Sequence, residues 1–301
     1  MSFTDFDAIR VAGVPLYPPG VDVSGKQYFV AGNYGSDGND GLSWDSAFKT
    51  LAAAIAVNNT NIGASSRGWA ARNTMFISGD YFDEDLVAFP NKCDVIGVGS
   101  YDGNTMPGIV GNHAPVNAQN WATRFFNVRF EGPAVAAPLI TLASTSGGTQ
   151  FVKCWLHAHT STTTGITATA TPIKVIDCDF DGAFATAYIS MGAGQAGGTR
   201  ILNNRMVDAA AVGILVDSGM TSAWSSIISG NLIEAGTITI DDNSDLFYIV
   251  NNQLISLATV VTIATPANAS MCDINILKAV GNYFTAATTT NVLFPLADAT
   301  T

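Results

Sequence analysis

Short runs of β-branched and other apolar residues recur along the chain, separated by Gly, Asn, Ser, Thr and Pro. This pattern is typical of strands joined by turns. Segments of ten or more residues with apolar positions at i, i+3, i+4 and i+7 are missing from these units, so a helical solenoid is not expected. The predicted strands are Leu139–Leu142, Ile173–Ile176, Val212–Val216, Thr237–Ile240, Phe247–Val250 and Val260–Ile263.

A degenerate four-residue motif repeats at a period of about 25 residues, with an apolar residue in its fourth position. Its second residues are Val128, Cys154, Cys178, Asn204, Asn231, Asn252 and Asn282, which lie 26, 24, 26, 27, 21 and 30 residues apart. Short strands at this period predict an all-β fold, a single-stranded right-handed parallel β-helix whose coils stack about 4.8 Å apart.

Stacking would place equivalent residues of successive coils above one another. We therefore expect the four asparagines of the motif to form an amide ladder at the corners of the coils, where Asn tolerates the left-handed conformation. Cys154 and Cys178 would be interior neighbours in the same column. A disulfide or a metal pair is the alternative for these two cysteines.

The N-terminal quarter carries a different pattern. An alanine-rich stretch over residues 44–57 places Phe48, Leu51 and Ile55 on one face, which predicts a helix that caps the open end of the solenoid. Residues 1–27 contain three prolines and no regular period, which predicts an extended arm. The expected organisation is an arm over 1–27, the β-helix over 28–290 and a tail over 291–301.

One N-terminal segment resembles a motif of a known superfamily. The segment is Gly35-Ser36-Asp37-Gly38-Asn39-Asp40-Gly41-Leu42-Ser43, preceded by Tyr28-Phe29-Val30 and followed by Ala47-Phe48-Lys49-Thr50-Leu51 and Ala54-Ile55. It is similar to the N-terminal motif of right-handed parallel β-helix proteins of the pectate-lyase-like superfamily. The resemblance covers residues 28 to about 290 and implies the fold. It leaves the function open, because this superfamily includes polysaccharide lyases, glycosidases, phage tailspikes and non-enzymatic virion proteins. The layout of a Pro-rich arm and a low-charge β-helix looks most like β-helix proteins of tailed bacteriophages, of the capsid-decoration or spike and fibre types.

Charge and composition narrow the function classes. The chain has 24 acidic and 13 basic residues and a net charge of −11, and it lacks a basic cluster, so nucleic-acid binding is not expected. No apolar run reaches 18 residues and the first residues are acidic, so neither membrane insertion nor a signal peptide is expected. The four cysteines contain no CxxC pair, which favours reduced buried thiols. No cofactor is expected.

Acidic residues nevertheless align in the repeat. Asp177, Asp179 and Asp181 alternate along one predicted strand, and Glu131, His157 and Asp181 occupy the same position in adjacent coils. A lyase or glycosidase would use Asp179, Asp181 and Glu131 as its catalytic groups. The alternative is that these residues form ordinary cross-strand ion pairs, such as Asp179 with Arg205. We favour the ion pairs and expect no catalytic site.

Three further sets of residues have a functional and a structural interpretation. Asp37, Asn39 and Asp40 suit a Ca²⁺ site or the capping of a tight loop, and we expect no metal. His157 and His159 suit a metal site or a surface turn. Trp155, Tyr188 and Tyr283 suit sugar binding or, as we favour, core packing.

The sequence therefore predicts a non-enzymatic structural protein of a phage-like virion, made in the host cytoplasm and located on the particle. We expect a homotrimer that binds capsid or other virion proteins through the apolar residues of its arm. These residues are Phe3, Phe6, Ile9, Val14, Leu16 and Tyr17. The alternative function is that of a tailspike-like protein that binds or degrades a surface glycan.

Overall fold

The computed structural model describes residues 10–11, 14–15, 25–64, 71–79, 81–101, 105–115, 121–132, 135–143, 147–169, 171–192, 198–208, 210–216, 226–234, 238–240, 247–256, 261–263, 270–273, 276–279, 284–286 and 292–293. Within these ranges the chain winds into a parallel β-helix, which confirms the predicted all-β solenoid. A complete coil contributes one strand to each of three parallel sheets. We call them sheets 1, 2 and 3, in the order in which a coil visits them. No helix in the described part of the chain is long and apolar enough to cross a membrane.

The strands of the three sheets are short, mostly three to six residues. Sheet 1 consists of Gln27–Ala31, Asn73–Ser78, Cys93–Gly97, Arg124–Phe126, Gln150–Val152, Lys174–Ile176, Arg200–Leu202, Ser226–Ser229, Phe247–Val250, Ser270–Asp273 and Val292–Leu293. Sheet 2 consists of Tyr81–Asp83, Gly108–Val110, Arg129–Glu131, Trp155–His157, Asp179–Asp181, Arg205–Met206, Leu232–Glu234, Gln253–Ser256 and Ile276–Ala279. Sheet 3 consists of Ile140–Leu142, Thr164–Thr169, Phe184–Gly192, Ala210–Val216, Ile238–Ile240, Val261–Ile263 and Phe284–Ala286. The six predicted strands all fall within these segments or within one residue of their ends.

The core is the inside of the coil, and each three-residue strand of sheets 1 and 2 in the described ranges turns its middle side chain inward. In sheet 1 the pairing stacks Phe125, Phe151, Val175 and Ile201 in one fully buried column. The rings of Phe125 and Phe151 are nearly parallel, with centroids 5.5 Å apart. Burying a side chain of this size contributes about 1.5–3 kcal/mol, so repetition of the column stabilises every coil.

The corner between sheets 1 and 2 is a single left-handed residue. Asn127, Lys153, Asp177, Asn203 and Asn251 have φ between 51° and 56°. The predicted left-handed residue was instead the asparagine that follows, and this expectation is wrong. The following residue turns inward, because the corner residue turns the chain from sheet 1 into sheet 2 and leaves the next side chain facing the core.

The inward residues after the corner form the predicted amide ladder over three coils. Asn204 Nδ2 donates to Asn231 Oδ1 at 2.9 Å, and Asn231 Nδ2 donates to Asn252 Oδ1 at 2.8 Å. The same oxygens accept backbone N–H groups, from Asn204 at 3.0 Å and from Asn231 at 3.0 Å. The ladder therefore satisfies buried backbone donors that an apolar residue would leave without a partner.

The assignments of the two cysteines and of the last copy of the motif have different outcomes. Cys154 and Cys178 are buried, free thiols stacked in the ladder's column, with Cys178 Sγ accepting from Cys154 N at 3.4 Å, as predicted for interior neighbours. The last copy of the motif, which ends at Phe284, departs from the predicted register. Phe284 pairs with Val261 in sheet 3, whereas Gln253 after Asn252 pairs with Ile276. Asn282 itself lies outside the described residues.

The capping helix begins and ends later than predicted. Helix α1 is Leu51–Ala64 rather than 44–57. Phe48 pairs with Val30 in a parallel bridge, which holds the preceding residues out of the helix. Past Val57, Asn58 donates to the Asn91 carbonyl at 3.1 Å and accepts from Asn73 Nδ2 at 2.9 Å. These tertiary bonds carry the helix through residues of low intrinsic helix propensity.

Both ends of the chain depart from the predicted organisation. Arg10–Val11 and Val14–Pro15 form a short antiparallel pair within the segment that we expected to have no regular structure. Val292–Leu293 extends sheet 1 by pairing with Ser270 and Met271, so the β-helix continues past residue 290. Sheet pairing recruits these two residues although they follow a Thr-rich stretch. Of the arm residues expected to bind a partner, only the backbone of Val14 lies within the described residues.

Candidate functional site

The candidate catalytic residues lie on the outer surface of sheet 2, where side chains of successive coils form two columns. We call this surface the sheet 2 outer face. One column is Tyr81, Gly108, Arg129, Trp155, Asp179 and Arg205. The other is Asp83, Val110, Glu131, His157 and Asp181. The strands place these side chains outward because the residue between the columns, such as Phe130 or Leu156, is buried.

Asp181 is the centre of the best-connected group on this face. Its Oδ1 lies 2.7 Å from His157 Nδ1 and accepts the indole N–H of Trp155, also at 2.7 Å. Burial by itself raises the pKa of Asp181, but the hydrogen bonds from His157 and Trp155 outweigh it and leave that pKa below its ordinary value. The bond to Asp181 raises the pKa of His157, against a smaller opposing effect of burial. The two groups therefore stabilise each other as an ion pair.

Arg129 connects two aromatic rings of the same column. Its guanidinium lies 5.6 Å from the ring centroid of Tyr81 and 5.9 Å from that of Trp155, and it forms a 3.1 Å ion pair with Glu131. The Tyr81 ring lies over Gly108, where a Cβ would stand 2.4 Å from Tyr81 Cδ1. Glycine at this point allows the ring to lie flat along the face and reach the arginine.

Asp179 is held from two sides. Tyr101 donates its hydroxyl to Asp179 Oδ2 at 2.5 Å, and Arg205 of the next coil lies 3.7 Å from Oδ1. Burial and this hydrogen bond to a carboxylate raise the pKa of Tyr101. The contact spans 78 residues and comes from a loop, so the strand pattern gave no signal for Tyr101. The predicted pairing of Asp179 with Arg205 is confirmed.

The structure brings Asp179, Asp181 and Glu131 to one face but separates Asp177 from them. Asp177 is the left-handed corner residue and is exposed, so the predicted strand with three outward aspartates is wrong. The corner turns the chain from sheet 1 into sheet 2 after Ile176, and of the three aspartates only Asp179 and Asp181 belong to the sheet 2 strand.

The chemistry of the face is that of a neutralised surface. A glycosidase needs a carboxylic acid that stays protonated near neutral pH, which requires a raised pKa. Asp181, one of the candidate carboxylates, has a lowered pKa. Each of the three candidate carboxylates contacts a donor or a cation of the protein itself.

The loop expected either to bind Ca²⁺ or to cap a turn uses its polar groups in hydrogen bonds. Asp37 accepts from Lys49 N and Thr50 N at 2.9 and 2.8 Å, and Asn39 Nδ2 donates to the Ala47 carbonyl. Asp40 Oδ1 accepts from the backbone N–H two residues on, in an Asx turn. Within the described ranges, no group of three or more His, Cys, Asp or Glu side chains is arranged to hold a metal ion.

The aromatic and histidine candidates divide between core and surface. Tyr188 is fully buried, as expected, and its hydroxyl donates to the Asp208 carbonyl at 2.6 Å. Trp155 lies on the sheet 2 outer face, so its predicted place in the core is wrong; its strand position faces outward. His159 is exposed in the turn after His157. Tyr283 lies outside the described residues.

A histidine that the sequence did not single out lies inside the solenoid. His113 is completely buried, its ring packs edge-on against Phe130 at 5.5 Å, and its Nδ1 accepts from Leu86 N at 3.3 Å. Burial lowers the pKa of His113 to about 4. This histidine is therefore neutral at physiological pH.

Two grooves flank helix α1 at the capped end of the solenoid. The larger, of about 460 Å³, is lined by Tyr28 and Val57 among others, and the smaller, of about 290 Å³, by Ile55 and Val87 among others. Neither includes a residue of the sheet 2 outer face.

Comparison with known proteins supports the fold. No family model and no curated protein matches the sequence. The structure is similar to the crystal structure of pectate lyase Pel9A, with a TM-score of 0.50 and 13% sequence identity, covering 90% of this chain and 79% of that chain. At this identity the likeness shows the parallel β-helix fold alone and carries no activity with it.

Proposed function

We propose that this protein is a non-catalytic structural component of a phage-like virion, a homotrimeric capsid decoration or appendage protein attached through its N-terminal arm. The observation that supports a non-catalytic role is the neutralisation of Asp179, Asp181 and Glu131. Each carboxylate lies against a Tyr, His, Trp or Arg side chain of its own or a nearby coil. A catalytic pair would instead direct its oxygens at a substrate.

The contacts on this face resemble those that stabilise a sheet. Cross-strand pairs between adjacent coils contribute roughly 0.2–1 kcal/mol each, and the face repeats them from Tyr81 to Arg205. Arg129, whose side chain is only 12% exposed, is a packing element of the column and is poorly placed to hold an acidic polysaccharide. We therefore assign the face to the stability of the solenoid.

The architecture and the composition suit a particle protein. Parallel coils stacked along one axis form a rigid rod, and only 12% of residues are charged. A surface of this kind suits packing against other proteins more than recognition of a charged ligand.

The attachment is assigned to the arm because of its sequence. The sequence of residues 1–27 is too apolar for a free tail. An apolar segment outside a core gains order by lying on another surface. Capsid or other virion proteins are the proposed partners.

Deletion of residues 1–24 tests this assignment. The melting temperature of the truncated protein should be nearly unchanged, while its attachment to particles should be lost. A mass-spectrometric inventory of purified particles should contain the full-length chain. Absence from the particles, or normal attachment of the truncated protein, would contradict the proposal.

A second candidate function is glycan binding, and one observation favours it. Tyr81 and Tyr101 are exposed by 49% and 45%. On the sheet 2 outer face Tyr81 and the outward Trp155 both lie near Arg129, and Tyr101 binds Asp179. Exposed aromatic rings beside hydrogen-bonding groups are suited to stacking on sugars. A glycan array probed with the wild type and with Tyr81→Ala/Tyr101→Ala tests it. Binding that the double variant loses would favour this candidate.

A further inference from the structure

The outer surface of sheet 1 carries a continuous line of apolar side chains parallel to the solenoid axis. The strand register stacks one outward residue per coil, each partly exposed. We call this line the apolar stripe, and its residues are Phe76, Ile96, Phe126, Val152, Ile176 and Leu202. With coils about 4.8 Å apart, six rungs span about 24 Å.

The stripe distinguishes sheet 1 from the other outer surfaces. The corresponding outward column of sheet 3 begins with Thr141, Thr167 and Ser190, and the columns of sheet 2 carry mostly charged and aromatic residues. Outward positions of a solenoid are free to be polar, so a run of six large apolar residues in one column is unexpected for a surface that faces water. Contiguous exposed apolar surface marks an interaction site.

We infer that the apolar stripe is buried between copies of this chain, packed side by side in the same direction around a three-fold axis. The inference deepens the proposed function and rests on its homotrimer. The stripe lies beside the corner between sheets 1 and 2, at an edge of the coil. Three edges can meet on one axis, where each copy contributes one narrow column and equivalent rungs lie at the same height.

The size of the surface is adequate for a stable contact. The stripe belongs to a column of nine outward residues from Phe29 to Val250, and a second outward column of nine runs beside it from Gln27 to Tyr248. Together they approach the roughly 20–30 residues that each partner contributes to a standard interface.

The charges beside the stripe favour a second copy as the occupant. The second column contains one acid and three bases, Asp94 with Arg124, Lys174 and Arg200, although the chain as a whole has a net charge of −11. Lys174 and Asp177 are both exposed and flank Ile176 on the same rung, one on each side of the stripe. Parallel packing around the axis brings Lys174 of one copy beside Asp177 of the next.

The first test measures mass in solution by light scattering after size exclusion. The wild type should have three times the 31.4 kDa chain mass. The Val152→Glu/Ile176→Lys variant, whose new charges face each other on adjacent strands, should be a monomer with its circular dichroism retained. The control is Thr167→Glu/Ser190→Lys, the same exchange on paired strands of sheet 3, which should remain a trimer.

The outcomes test the homotrimer and the surface assigned to it separately. A wild-type mass of one or two chains overturns the three-fold arrangement and the proposed homotrimer together. A trimer that survives the stripe substitutions keeps the homotrimer and overturns the assignment of its surface. The particle inventory of the proposed function is independent of both measurements.

Charge exchange tests the direction of packing. Lys174→Glu should weaken the association by about tenfold or more, since it places two acids side by side at each contact. The Lys174→Glu/Asp177→Lys double variant should restore the affinity to within about threefold of the wild type. A double variant as weak as Lys174→Glu would overturn the parallel arrangement.

Discussion

His157 and Asp181, on adjacent coils of sheet 2, form an ion pair with Nδ1 and Oδ1 2.7 Å apart. The pKa of the histidine is raised and that of the aspartate is lowered, so each group prefers its charged form in the folded state. The pair also orients the indole of Trp155 through the same oxygen. It is the principal electrostatic feature of the sheet 2 outer face.

The first prediction concerns His157→Gln. A raised folded-state pKa of the histidine stabilises the fold below about pH 6.5, and the stabilisation disappears as pH rises through that pKa. The lowered pKa of Asp181 adds stability above about pH 4 that is lost on acidification. The substitution should therefore cost about 0.5–1 kcal/mol near pH 5 and little at pH 9. Urea unfolding at the two pH values measures this difference, and an equal cost at both would contradict the assigned ion pair. His159→Gln is the matched control.

The second prediction concerns His113, whose pKa is shifted downward, in the opposite direction to that of His157. Its folded pKa of about 4 lies below the unfolded value, so the unfolded chain binds the proton more readily and acid favours unfolding. Protonation should cost up to about 3 kcal/mol between pH 6.5 and pH 4. His113→Asn keeps an acceptor for Leu86 N and should show a flatter pH profile of unfolding free energy over this range. A profile as steep as that of the wild type would show that His113 does not titrate as inferred.

The third prediction concerns the amide ladder. Asn231→Ala removes the oxygen that accepts from Asn204 N and Nδ2, and leaves buried donors without partners. The free energy of unfolding should fall by about 2–4 kcal/mol. Asn251→Gly is the control, because glycine adopts the left-handed conformation at this exposed corner without strain. A loss below about 1 kcal/mol for Asn231→Ala would contradict the role of the ladder.

The parts of the structure that could be predicted from the sequence are those that repeat with a regular period. Coils that repeat with Asn or Cys after the corner revealed the solenoid, the inward column and the pairing of Asp179 with Arg205. The irregular first coils, which contain Tyr81 and Gly108, carry no such motif. Tyr101 reaches Asp179 from a loop, and helix α1 is placed by the Phe48 bridge and by Asn58, which are tertiary contacts. The apolar stripe was recoverable in principle, but only once the register had been fixed.

The fourth prediction concerns metal independence. Glu84 caps helix α1 by accepting from Leu51 N and Ala52 N at 2.8 and 2.9 Å, and Asp37 accepts from the N–H of Thr50, just before the helix, at 2.8 Å. Because these bonds already stabilise the loop, EDTA should leave the melting temperature unchanged. Glu84→Gln should lower the free energy of unfolding by about 1 kcal/mol with or without calcium. A melting temperature that falls on chelation would show that a metal ion binds the folded protein.

The central claim is that the carboxylates of the sheet 2 outer face are structural, and an activity screen tests it most directly. Purified protein is incubated with neutral and acidic bacterial polysaccharides, and reducing ends and unsaturated uronate absorbance are measured. The account predicts no product from the wild type. Product that Asp181→Asn or Asp179→Asn abolishes, while the exposed Asp83→Asn control on the same face retains it, would contradict the account.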